Sequence, residues 1–270
     1  MARLSLLLAL VFAAASPARG NPEGDSRPPY AVRSALERLP PQRPGVVDLY
    51  ALVIGGDAEE VFRREVETVR RVLDERLGTA GRSAAMINDL AQPEPEVTLN
   101  SLAYALRAVA KRMDPEEDVL LLHLASHGLR NSEFSLRHPA MPLYSLSPLY
   151  LRSLLDDAGV RNRVVIVSSC FSGGFVGPLA TGDTMVLTAA SADRPSYGCG
   201  SDSQITDFSR ALYLKALGRT RSLREAAAQT LDLVRDDEKA RGYTPSLPQL
   251  LSGPGIDERL RLIERQLQAR

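Results

Sequence analysis

A chain of 270 residues that is 44% hydrophobic and 24% charged has enough apolar mass to bury a core, which sets it among globular proteins and apart from disordered or fibrous ones. Its 33 basic and 33 acidic side chains cancel and the basic ones are scattered, so neither a nucleic-acid footprint nor a polybasic membrane patch is drawn. Length alone leaves one large domain or two small ones open.

The opening "MARLSLLLALVFAAASPARG" sets Arg3 ahead of an apolar run from Leu4 to Ala15, with small residues around Ser16 to Ala18. That pattern predicts a secretory signal over residues 1–20; its apolar run of about a dozen residues falls short of the roughly 20 that span a bilayer. The expectation is an exported protein, periplasmic or secreted, with no stable membrane insertion. Residues 21–45 are dense in Pro and polar side chains around one short helical patch, Ala31 to Leu39, and read as an arm outside the core. The folded domain is expected over 46–270.

From Val46 the chain alternates strand-like and helix-like segments. "VVDLYALVIGG" is an apolar run ending in two glycines, as in a parallel strand covered on both faces. The segment after it repeats Val61, Phe62, Val66, Val69, Val72, Leu73 and Leu77 at helical spacing, with Asp57 as cap and Gly78 as stop. "RSAAMIND" and a helix from Val97 to Met113, capped by Thr98 or Asn100, form a second unit. "DVLLLHLASHG" is the third strand, "RNRVVIVSSC" the fourth, "DTMVLTAAS" the fifth and "SLPQLLSG" the sixth. Helices over Ser147 to Ala158, Ile205 to Leu217, Leu223 to Arg241 and Ile256 to Gln268 complete an α/β domain: a mainly parallel six-stranded sheet with helices on both faces.

In such sheets ligands sit beyond the carboxyl ends of the strands. Two strands end in chemically capable residues, one at His127-Gly128 and the next at Cys170. By itself Cys170 reads more readily as a small hydrophobe closing a core strand than as a nucleophile. Paired with His127, it reads as a nucleophile whose proton the imidazole takes and returns. The backbone amides of Gly128 and Cys170 are then candidates for an oxyanion hole, with no Cβ at 128 to block an approaching carbonyl. Cys199 offers the one disulfide partner for Cys170, a pairing that would silence it. His123 is expected to pack within the sheet and His138 to face solvent. With three His, two Cys and no CxxC or HExxH spacing, no metal is expected; Gly173-Gly174 makes neither a dinucleotide fingerprint nor a P-loop, so no cofactor is expected either. The serines at 168, 169 and 172 lack the GxSxG elbow.

His127 precedes Cys170, which is the reverse of papain-type order and agrees with caspases, where the histidine lies about 50 residues upstream. The strand with "SHG", the strand with "SSCFSGGF" and the following "VLTAASADRPSYGCG" resemble the legumain-like cysteine peptidases of the caspase-hemoglobinase fold, in particular their exported bacterial members, over Val46 to Leu214. The resemblance implies a cysteine endopeptidase with Cys170 as nucleophile, His127 as catalytic histidine and Gly128 at the oxyanion glycine, acting on protein or peptide substrates through a thioester. Substrate contacts are further expected from Arg63, at the family's pocket arginine, from Ser191 and Ser196, and from Arg210, which departs from the family by standing where it keeps an acidic pocket residue. Two guanidinium groups in a pocket would favour an acidic residue before the scissile bond. The family's Asn falls at Val61, so no third catalytic member is identified. Arg63 and Arg64 also read as the wet side of a helix among Glu59, Glu60, Glu65 and Glu67. A transamidase using the same dyad and a catalytically silent caspase-like binding module remain the alternatives.

Overall fold

The structure, a computed structural model, describes residues 28–200 and 202–269. The signal-type segment 1–20 and the first part of the arm lie outside the described residues. The six expected strands form one sheet: β1 (Leu49–Gly55), β2 (Ser83–Ile87), β3 (Val119–Ala125), β6 (Arg163–Ser168), β7 (Thr184–Thr188) and β8 (Gln249–Ser252). Their order is β2-β1-β3-β6-β7-β8, all parallel except for β8 at the edge. A hairpin of β4 (Phe134–Leu136) and β5 (Tyr144–Leu146) follows β3.

Every residue of β1, β3, β6 and β7 is buried. The reason is coverage of both faces, with successive side chains taken by opposite cores. Tyr50, Leu52 and Ile54 of β1, with Leu120, Leu122 and Leu124 of β3, enter the core beneath α1 (Tyr30–Glu37), α3 (Leu99–Ala110) and α4 (Pro148–Asp157). Leu49, Ala51 and Val53, with Leu121 and Ile166, enter the core beneath α2 (Glu60–Arg76), α5 (Leu223–Ala240) and α6 (Pro254–Gln268). Thr98 caps α3 in a reciprocal capping box, and Ser147 caps α4 ahead of Pro148. No helix among the described residues is long and apolar enough to cross a membrane.

Three local features depart from the sequence reading. Residues 28–45 are not an arm apart from the core: α1 buries Val32 and Leu36, and Leu39 follows them, each contributing about 1.5–3 kcal/mol by burial. The hydroxyl of Tyr50 anchors the following Pro-rich turn, donating toward the carbonyls of Pro40 and Arg112, both at 2.9 Å. Second, Asp57 does not cap α2; the N-cap position belongs to Glu59, whose side chain makes no capping bond. Third, His138 is buried, its Nδ1 accepting from the Ala140 amide at 3.1 Å and its Nε2 3.2 Å from the carbonyls of Asp89 and Gln92. The two loop carbonyls meet the ring at Nε2, so the buried imidazole has partners at both nitrogens.

Candidate active site

Strands β3 and β6 are neighbours in register, Ala125 opposite Ser168, so the residues that follow them emerge side by side on one rim. The approach there is closer than side-chain contact. A Cβ built on Gly128 would lie 1.8 Å from the Cys170 carbonyl oxygen and 3.0 Å from its nitrogen, so only glycine fits. Gly173 makes the same close approach to the backbone of Ser191 and Ala192, and Gly174 to Ser132. The "SGG" run, a 3₁₀ turn over Ser172–Phe175, thus lets two loops close onto the Cys170 turn. Phe171 between them is left-handed at φ 57°, a conformation that costs a non-glycine residue about 1–3 kcal/mol. Its amide donates to Arg194 O at 2.8 Å, and the Arg130 guanidinium lies 5.5 Å from its ring, which together hold that conformation.

Cys170 is half-buried and turned toward the loop after β7. Its sulfur accepts from the Ser196 amide at 3.3 Å, with Ser196 Oγ at 3.7 Å. The thiol is pulled down from its ordinary value to about 5, first by a hydrogen bond from the Cys199 thiol, against the opposing cost of burial, and then by Ser196 and the charge of His127. Cys199 is pushed the other way, because it holds the proton it shares with Cys170 and is itself partly buried. Both cysteines are free thiols, so the candidate disulfide is not formed.

His127 stands across the rim, a third exposed, with Nε2 3.2 Å from Glu59 Oε1 and its ring edge-on to Phe62 at 5.0 Å. Arg137 joins Glu59 Oε1 at 2.6 Å and buried Asp57 Oδ2 at 2.9 Å. Asp57, Glu59 and His127 place one ligand atom each within 4.8 Å of one another, a trio that sequence spacing does not reveal. Arg137 already supplies the positive charge that a metal would bring there.

Beneath the rim lies a second histidine pair. Glu65 and His123 are both fully buried and 3.1 Å apart; Glu65 also accepts from Ser209 Oγ at 2.6 Å and from the Thr206 amide at 3.1 Å. Tyr213, on a π-helical stretch (Arg210–Ala216), meets His123 Nδ1 at 3.0 Å. Burial would raise the Glu65 carboxyl, but the His123, Ser209 and Thr206 bonds outweigh it and hold the group below its ordinary value.

The other expected contacts divide. Ser196 touches Cys170; Ser191 is buried behind Gly173, its hydroxyl on Asp193 and its amide on Ser246 O. Arg63 turns to the β2 side of α2, among Glu60, Glu67 and Asp89. Arg210 binds Asp207 and Asp237. Both guanidinium groups are therefore paired with carboxylates, and those carboxylates are different for each. Asp207, unnoticed in the sequence, backs the turn beside Cys170 instead: its amide donates to Tyr197 O, its carboxylate abuts Gly198, and Arg241 joins Arg210 on it. Its only sequence signal is its position after Thr206 at a helix start, where acidic residues are ordinary.

Five parallel strands with an antiparallel edge, ending centrally in a histidine and a cysteine, define a caspase-like α/β protein. The crystal structure of caspase-1 from Spodoptera frugiperda matches with a TM-score of 0.54 at 13% identity, covering 80% of this chain and 95% of that one, a likeness of fold. The Peptidase C13 family profile matches residues 100–242, more than half of the chain, and the chain belongs to that family, the legumain-like cysteine peptidases. No curated protein sequence matches the chain. Family and fold together support cysteine peptidase activity. The matched segment contains His127, Gly128, Cys170, Ser191, Ser196, Cys199 and Arg210; Glu59 and Arg63 precede it.

Proposed function

We propose that this protein is an exported cysteine endopeptidase that hydrolyses peptide bonds through Cys170 and His127. The observation that carries the reading is the contact of the Gly128 and Cys170 backbones beside a thiol drawn down to about 5. In this scheme the Cys170 thiolate attacks the scissile carbonyl carbon, and the Gly128 and Cys170 amides receive the developing oxyanion. Collapse breaks the C–N bond as His127 protonates the leaving amine, leaving a thioester on Cys170. Water then gives a proton to His127 and attacks the thioester, releasing the acid and the thiolate. Ser196, at the sulfur, lies where the substrate backbone would pass.

The pairing of Arg63 and Arg210 with carboxylates argues against an acidic requirement before the scissile bond, and the proposal carries none. Export rests on the apolar segment Leu4 to Ala15, and mass spectrometry of the mature chain should find it starting beyond residue 20. The deciding experiment is labelling with an acyloxymethyl ketone and assay on a fluorogenic peptide panel. Wild type should label on Cys170 and turn over, and Cys170→Ala and His127→Ala should do neither at a comparable rate. Labelling that is indifferent to His127 would return the protein to the class of silent binding modules.

A further inference from the structure

Helix α2 starts in an unusual way, and its start faces the rim. Glu59 occupies the N-cap with extended backbone, φ −74° and ψ 141°, yet its side chain caps nothing. Ser, Thr, Asp and Asn serve that position because a short side chain can fold back onto the first amides. The Glu59 backbone is fixed by its own amide, which donates to Asp57 Oδ1 at 3.2 Å, and its side chain crosses instead to His127 Nε2 at 3.2 Å. Arg137, on the residue after β4, clamps the same oxygen at 2.6 Å and is itself held by Asp57, 1% exposed. Phe62, one helical turn on, packs edge-on against the imidazole. The ring is thus gripped at one nitrogen and against one edge.

We infer that Glu59, aimed by Arg137, is the positioning residue of His127, holding Nε2 as the protonated nitrogen and leaving Nδ1 for the reacting groups. The inference rests on the Cys170–His127 reading. An acceptor on one ring nitrogen selects the tautomer and the orientation at the other. This pairing is partly exposed on both sides, so it adds little to stability, and its consequence falls on catalysis. The charged groups that meet at the ring come from four elements: Glu59 from α2, Arg137 from the hairpin, Asp57 from the end of β1 and Cys170 from the end of β6.

The test is a set of full-chain variants, Glu59→Ala, Glu59→Gln, Arg137→Ala and the Glu59→Ala/Arg137→Ala pair, read by kcat and KM separately and by ¹⁵N NMR of the His127 ring. Glu59→Ala should lower kcat about 10- to 100-fold, within the 10²–10⁴ that a general acid or base supplies, with KM little changed. Glu59→Gln, which keeps an acceptor oxygen beside Arg137, should recover part of that loss. Arg137→Ala should cost less than Glu59→Ala, and nothing further in the double variant, because the two act in series. The wild-type ring should show one fixed tautomer and Glu59→Ala a mixture. Unchanged kcat and an unchanged ring spectrum in Glu59→Ala, with Cys170→Ala and His127→Ala inactive, would overturn the positioning role and leave the dyad standing. Retained activity in Cys170→Ala would overturn the dyad itself. Should Glu59→Ala fail to fold, Arg137→Ala and the ring spectrum still decide.

Discussion

Strand β3 carries His123, and His127 follows two residues past its end; each meets a glutamate, one inside α2 and one at its N-cap. His123 and Glu65 are fully buried, 3.1 Å apart, and saturated by Tyr213, Ser209 and Thr206. His127 and Glu59 are 3.2 Å apart at the rim and about one third exposed, with Arg137 clamping the glutamate. The same two residue types, within two neighbouring elements or just past their ends, thus make a structural joint at one level and a chemically available imidazole at the next. What separates them is the end of the strand: His123 is inside the ladder, covered on its face by α2 and the π-helical stretch, and His127 lies beyond it. A buried ionisable pair stays only where every lone pair and proton is met, whereas one at the rim keeps a nitrogen free.

Replacing each histidine separates the two roles. His127→Ala should reduce peptide hydrolysis by about 10²–10⁴-fold while the thermal transition stays near wild type. His123→Ala should instead strip Glu65 of its main partner and destabilise the fold by about 3–5 kcal/mol, seen in urea unfolding. Equal loss of stability in both would erase the distinction. Gly128→Ala strikes the rim alone: with its Cβ driven onto the Cys170 carbonyl, the candidate oxyanion amides move apart, and a fall of about 10²–10³ in kcat is expected.

Acid sharpens the contrast at the buried pair. Because Glu65 is held below its ordinary value, its contribution is complete above the unfolded value of about 4.3 and is lost as pH falls through the folded one. The wild-type melting temperature should therefore drop more steeply than that of Glu65→Gln as pH falls below about 4.3. At the rim the sign concerns reactivity. With Cys170 at about 5, alkylation by iodoacetamide should be near its plateau at neutral pH and decline as pH falls through about 5. Cys199→Ala removes the leading cause of that shift, so its profile should move to higher pH and its rate near pH 6 should drop. The smallest effect concerns selectivity: peptides with Asp before the scissile bond should be cleaved no faster than neutral counterparts, since Arg63 and Arg210 are already paired.

Much of this fold is legible in the chain. Each of the six strands is an apolar run between turn residues, and burial on both faces of a parallel sheet demands that pattern, so their existence and order could be read directly. The rim motifs "SHG" and "SSCFSGG" were legible too, because a Gly that must pass a backbone and a Cys at a strand end are local signals. Residues 28–45 read as an arm because Pro-rich composition masks three well-spaced apolar residues, Val32, Leu36 and Leu39, whose burial depends on elements that lie elsewhere in the chain.

The remainder was decided in three dimensions. Glu59 looks like one more charge on a wet helix face, and only the meeting of the α2 start with the β3 end and the β4 hairpin sets it on His127. Arg63 and Arg210 look like free cations until their carboxylate partners, some from distant elements, are in place. Sequence determines what is apolar, what can turn and which groups can react, because those properties belong to single residues and their neighbours. Which charges meet, and which nitrogen or sulfur is left free, belongs to the packing, because a hydrogen bond or ion pair is specified by distance and direction between segments far apart in the chain.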